Sequence, residues 1–139
     1  MTILDTNVVS EIMRPVPTPV VLRWISDQVS EELHVTVITM AEILLGIELL
    51  PRGKRQEILR AGAEQLFRVV FTDRILTFDA RAAREFSLIA ASRRKRGRPM
   101  SEFDAQIAAI ARAKSAAVAT RNTGDFEGCG VRLVNPWEG

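Results

Sequence analysis

Four acids sit where a chain alternating strands and helices would bring them together: Asp5, Glu42, Asp104 and Asp125. Asp5 closes a short apolar run, Thr2-Ile3-Leu4. Glu42 and Asp104 each read as lying in the first turn of a helix, and Asp125 follows a second apolar strand by a few residues. In a parallel α/β sheet the helices return antiparallel to the strands, so strand C-termini and helix N-termini share one edge. Such folds bind ligands at that edge. Four carboxylates converging there repel one another unless a hard cation holds them, and oxygen-only donors suit Mg²⁺ or Mn²⁺. The pattern points to a metal-dependent enzyme with a phosphate-rich substrate.

Each acid also has a purely structural reading. Thr39-Met40-Ala41-Glu42 matches a capping box, in which the glutamate bonds back to the cap backbone. Ser101-Glu102-Phe103-Asp104 is a weaker version, Asp5 is placed to cap the helix after it, and Gly124-Asp125 reads as a turn. The shared edge argues for chemistry, yet caps collect on that edge for general reasons. Thr120 and Asn122, near Asp125, read either as turn residues or as polar support orienting a carboxylate or a metal-bound water.

The elements that must position these groups follow from periodicity. Residues 2–4 form a buried strand, and a helix runs from Thr6 to about Met13 before three alternating prolines. Helical spacing of Val21, Trp24, Ile25 and Val29 predicts a helix over 19–29. The β-branched stretch 33–38 predicts a strand, and Thr39 opens a helix to about Leu50. A further helix spans 54–70, a brief strand 75–78, and a helix capped by Asp79 runs to about Arg96 before Gly97 and Pro99. Ser101 caps the next helix, through about Lys114; strands at 116–120 and 131–134 flank a polar loop. The alternation predicts a single domain over 1–139, a three-layer α/β/α sandwich on a mostly parallel central sheet.

Composition agrees with that size of core: 47% hydrophobic and 26% charged residues are those of an ordinary globular chain. No apolar run approaches the roughly 20 residues that span a bilayer, and no basic-then-apolar leader opens the chain. The expected compartment is the cytoplasm. The lone Cys129 rules out an intrachain disulfide and a thiolate zinc cage, and the lone His34 has no second histidine with which to share a metal. Arg93-Arg94-Lys95-Arg96-Gly97-Arg98 places five cations within six residues. It reads as a solvated helix end, favoured by the macrodipole, or as an RNA-contacting phosphate patch.

Four segments, Ile3-Leu4-Asp5-Thr6-Asn7, Thr39-Met40-Ala41-Glu42-Ile43-Leu44-Leu45-Gly46, Asp104-Ala105-Gln106-Ile107-Ala108 and Ala119-Thr120-Arg121-Asn122-Thr123-Gly124-Asp125-Phe126, resemble those of PIN-domain ribonucleases. The likeness is greatest to the VapC-type toxins of bacterial toxin–antitoxin modules. It implies Mg²⁺- or Mn²⁺-dependent endoribonuclease activity, a homodimer, and a cognate antitoxin whose C-terminal segment blocks the active site. Carried over, Asp5, Glu42 and Asp104 match the acidic triad, Asp125 the fourth acid, and Thr120 and Asn122 the polar supporting positions. Two rivals stand beside this reading. One is a non-catalytic nucleic-acid-binding or interaction module with the acids as caps. The other is a haloacid-dehalogenase-type phosphatase built on Asp5, Thr120, Lys114 and Asp125, which leaves Glu42 unused and has Asn7 where an acid is expected.

Overall fold

The computed structural model describes residues 1–139. Five strands form one sheet: β1 (Thr2–Leu4), β2 (Leu33–Thr36), β3 (Ile75–Leu76), β4 (Ala117–Ala119) and β5 (Leu133–Val134). Every neighbouring pair is parallel, in the order β3-β2-β1-β4-β5. Chain order therefore reverses between β1 and β4. A crevice opens at such a switch point, outside the strand C-termini. Leu4 is in register with Ala119, so the next residues, Asp5 and Thr120, stand side by side at the mouth of that crevice.

Six helices cover the two faces: α1 (Thr6–Ile12), α2 (Pro19–Ser26), α3 (Val37–Glu48), α4 (Lys54–Gln65), α5 (Ala80–Lys95) and α6 (Glu102–Ala113). Alternation along the strands divides the core in two. Ile3 and Val118 point to α5 and α6, where they join Ile89, Ile107, Ile110 and Phe126. Leu4, Val35 and Ala119 point the other way, to Val8, Val9, Ile47, Ala63 and Phe67 on the α1–α3–α4 side. This is the expected α/β/α sandwich. Helix α6 is buried almost all round, and its alanines let the sheet and α5 approach it closely. Gly97, at φ 72°, supplies the left-handed residue that ends α5. No helix is long and apolar enough to cross a membrane.

Three local expectations are corrected. The second strand ends at Thr36, and Val37-Ile38-Thr39 form the first turn of α3. The buried Thr36 hydroxyl accepts from the Thr39 backbone N–H at 3.2 Å, and this cap outweighs the β preference of three branched residues. Glu42 consequently lies in the second turn, and the Thr39–Glu42 capping box does not form. The 54–70 helix finishes in a π turn, Leu66–Val70, which lets both Phe67 and Phe71 bury. The polar loop 122–130 contains a 3-10 turn, Thr123–Phe126, with Phe126 and Cys129 inside the core.

Candidate active site

Asp5 caps α1 and is 4% exposed. Its Oδ1 accepts from the Thr6 backbone N–H at 2.8 Å. Its Oδ2 accepts from the buried Thr120 hydroxyl at 2.8 Å and from Asn7 Nδ2 at 3.2 Å. Burial pushes this carboxyl from its ordinary 3.8 up to about 6; the Thr120 and Thr6 hydrogen bonds pull it back, and the charges of Asp104 and Glu42 add to the rise. Glu42, half-buried on α3, accepts from the Thr6 hydroxyl at 2.7 Å. Its pKa is raised by burial first and by Asp104 second. Asp104 sits in the first turn of α6, whose cap Ser101 accepts from the Asp104 backbone N–H at 3.1 Å. Burial raises its pKa too, helped by the charge of Asp125 and opposed by Ser101 and Arg93.

Asp5, Glu42 and Asp104 line one open pocket of about 540 Å³, together with Asn7 and Asn122. None of the three forms an ion pair. The gathering is looser than the sequence suggests, because no three such side chains stand close enough to hold a metal ion between them. Thr6 stands between two of them. Its backbone holds Asp5 and its hydroxyl holds Glu42, so it spaces two like charges. An all-oxygen donor set that lacks a paired cation, with carboxyl pKa values raised by burial and mutual charge, suits a hard divalent ion.

Two expected outcomes follow from Asp5. A carboxyl whose folded pKa exceeds its unfolded value favours folding fully below pH 3.8, and that contribution is lost as pH rises through about 6. At 1.36 kcal/mol per unit the loss is about 3 kcal/mol. Urea unfolding in chelator should show it as a decline of the wild type relative to Asp5→Asn between acid and neutral pH. A pH-independent difference would contradict it. Thr120→Val removes one of three donors to a buried carboxylate and should cost about 1–3 kcal/mol, read from the same unfolding curves at neutral pH.

A family description, "PIN domain", matches residues 2–128. The chain belongs to the PIN-domain family. Among curated relatives of this PIN domain, the plasmid stability protein StbB of Pseudomonas syringae pv. tomato is 44% identical over 138 residues, 99% of each chain. Toxin FitB of Neisseria gonorrhoeae is 39% identical, also over 99% of each. The VapC ribonuclease Y4jK of Sinorhizobium fredii is 38% identical over 99% of both. The solved structure of FitAB bound to an IR36 DNA fragment superimposes with a TM-score of 0.91 at 39% identity, covering 99% of this chain and 96% of that one.

The remaining sequence candidates separate. Asn122 lines the PIN pocket, and its backbone N–H donates to Thr120 Oγ1 at 3.1 Å; Thr120 itself is buried and acts on the pocket through its hydrogen bond to Asp5. Asp125 lies on the exposed 3-10 turn outside the pocket wall, near enough for its charge to reach Asp104. The basic run is not one patch. Arg93 is buried, in line with Ile89 on the inward face of α5, and is removed from RNA contact. Its Nε donates to the Arg98 carbonyl at 2.6 Å, and its Nη1 donates to those of Glu127 at 2.7 Å and Asp125 at 3.2 Å. Arg96 donates to the Gly128 carbonyl, and Arg98 pairs with Glu127 at 3.7 Å. Arg94 and Lys95 are exposed.

Several pocket residues escaped the sequence reading. Thr6 and Asn7 follow the strand-end Asp5 directly, and that adjacency was the available signal. Asn7 Nδ2 donates both to Asp5 Oδ2 and to Thr120 Oγ1, tying α1 to β4 across the switch point. Arg121, between Thr120 and Asn122, and Trp137, near the C-terminal end, also line the pocket.

Proposed function

We propose that this PIN domain is an endoribonuclease dependent on Mg²⁺ or Mn²⁺, the toxin of a toxin–antitoxin pair. The observation that carries the reading is the pocket at the β1/β4 switch point, walled by three carboxylates, Asp5, Glu42 and Asp104, that form no ion pair. The ribonuclease and toxin names of relatives spanning nearly the whole chain support it. The phosphatase rival leaves Glu42 idle, whereas Glu42 lines the same pocket as Asp5.

A divalent ion, when bound, supplies a Lewis acid for a phosphate oxygen and a water of lowered pKa. Asp5 and Asp104 would hold it. Thr120, Asn7 and the Thr6 backbone fix the Asp5 carboxylate, so its orientation is set before substrate arrives. Glu42, with its partly raised pKa and its hydrogen bond from Thr6, orients the attacking water and accepts its proton. Asp125 adds negative potential from the rim through Asp104.

An antitoxin segment has a place to lie. A groove of about 840 Å³ between α1, α3 and α4 is lined by Met13, Ile43, Ile47, Leu50, Ile58 and Leu59. It shares Thr6, Ser10, Arg14 and Glu42 with the acidic pocket, so a peptide seated there reaches the carboxylates. A homodimer belongs to the same reading and is tested by sedimentation. The function itself is tested by incubating purified protein with single-stranded RNA and Mn²⁺, with and without chelator. Cleavage that chelator stops is expected; RNA bound but never cut would favour the binding module.

A further inference from the structure

Two cations line the acidic pocket, Arg14 and Arg121, and they are not equivalent. Arg14 is bound to Glu11, Nη1 to Oε2, at 3.1 Å. Arg121 has no acidic partner although four carboxylates, Asp5, Glu11, Glu42 and Asp104, share its pocket. Its guanidinium carbon lies 5.0 Å from the ring centroid of Trp137, the pocket's only hydrophobic lining residue. We propose that Arg121, held on Trp137, binds an RNA phosphate beside the scissile one and is the principal substrate-positioning cation of this site. The assignment rests on the nuclease reading above.

The placement is built rather than incidental. The Arg121 backbone N–H donates to Asn7 Oδ1 at 3.2 Å, and Asn7 Nδ2 donates in turn to Asp5 Oδ2 and Thr120 Oγ1. The base of the arginine is thus registered to the network that fixes Asp5. On its other side, Asn135 Nδ2 donates to the Arg121 carbonyl at 3.4 Å, while Asn135 Oδ1 accepts from the Trp137 backbone N–H at 2.9 Å. The platform and the arginine are therefore joined through one side chain. Trp137 itself packs on the core of the α1 face.

The Arg121 guanidinium lies over the indole and donates no hydrogen bond within the chain, so the N–H groups that meet phosphate oxygens in a bidentate pair are uncommitted. The pocket is left with an anionic end for the metal and a cationic end for backbone phosphate. The basic run at the end of α5 cannot take this part through Arg93, which is buried.

The test compares wild type, Arg121→Gln, Arg121→Lys and Trp137→Leu. Fluorescein-labelled single-stranded RNA is followed by anisotropy across a salt series in Ca²⁺, and kcat and KM are measured in Mn²⁺. Arg121→Gln should weaken RNA binding about tenfold and lower the log–log salt slope by about 0.7, one phosphate's worth on a single strand. KM should rise more than kcat falls, with an unchanged melting temperature. Arg121→Lys should recover the salt slope but only part of the affinity, and Trp137→Leu should lie between wild type and Arg121→Gln. Affinity and salt slope unchanged in Arg121→Gln, where wild type binds, would overturn the assignment alone. Weakened antitoxin binding with RNA binding intact would also overturn it, moving Arg121 to the protein interface. A wild type that neither binds nor cuts RNA would overturn the nuclease reading itself.

Discussion

Asp104→Asn is expected to lower RNA cleavage by at least about 100-fold, beyond the roughly 10–100-fold that losing a group merely supporting a metal ligand costs, while the melting temperature in chelator stays level or rises. The two halves of that result have one cause. Asp104 carries a carboxyl whose pKa is raised by burial and by Asp125, so its charge strains the folded protein when no ion is present. Asparagine removes the charge and keeps the shape. The cap on α6 survives, because it runs from the Asp104 backbone N–H to Ser101 and not through the Asp104 side chain. If Asp104 served only the helix, the substitution would leave any cleavage intact and bring no gain in melting temperature.

Arg93→Met should be the most destabilising single change at this end of the molecule. Arg93 is 5% exposed and donates to three backbone carbonyls on two loops, 98 and 125–127. Methionine fills similar volume but strands those carbonyls, a loss of about 3–5 kcal/mol for a buried charged donor with several partners. For a chain of this size that corresponds to a fall in melting temperature on the order of 10 °C or more. The loop also carries Asp125, so a surviving fold should show reduced cleavage as well. Arg94→Met, one residue along on the exposed face, should shift the melting temperature by no more than a degree or two. Equal effects from the two would refute the buried role.

The contrast between Arg93 and Arg94 marks where sequence ceases to be legible. Five cations within six residues look alike until helix phase is known, and only the inward stripe Ala82, Ile89, Arg93 distinguishes the buried one. Strand-end residues were easier. Asp5 and Thr120 terminate apolar runs, so the parallel topology alone puts them on one edge. The three-layer order of elements followed from the same alternation. Glu42 was placed on the right edge for the wrong reason: the Thr36 cap shifts α3 back by three residues, and Glu42 is oriented by Thr6, not by a capping box. That cap depends on Thr36 being buried, a tertiary fact. The place of Trp137, sixteen residues beyond Arg121, is not legible in the sequence. Its approach to Arg121 is made across the return of β5, and no local pattern announces it.

The central claim is that Asp5, Glu42 and Asp104 form a site for a divalent cation. Calorimetric titration of the metal-free protein with Mn²⁺ at neutral pH tests it most directly, beside Asp5→Asn and Asp104→Asn. Saturable binding to wild type that weakens at acid pH, as protons compete for carboxyls whose pKa values are raised, is the expected result, with affinity at least tenfold lower in both variants. No binding by wild type, or equal affinity in all three proteins, would contradict it.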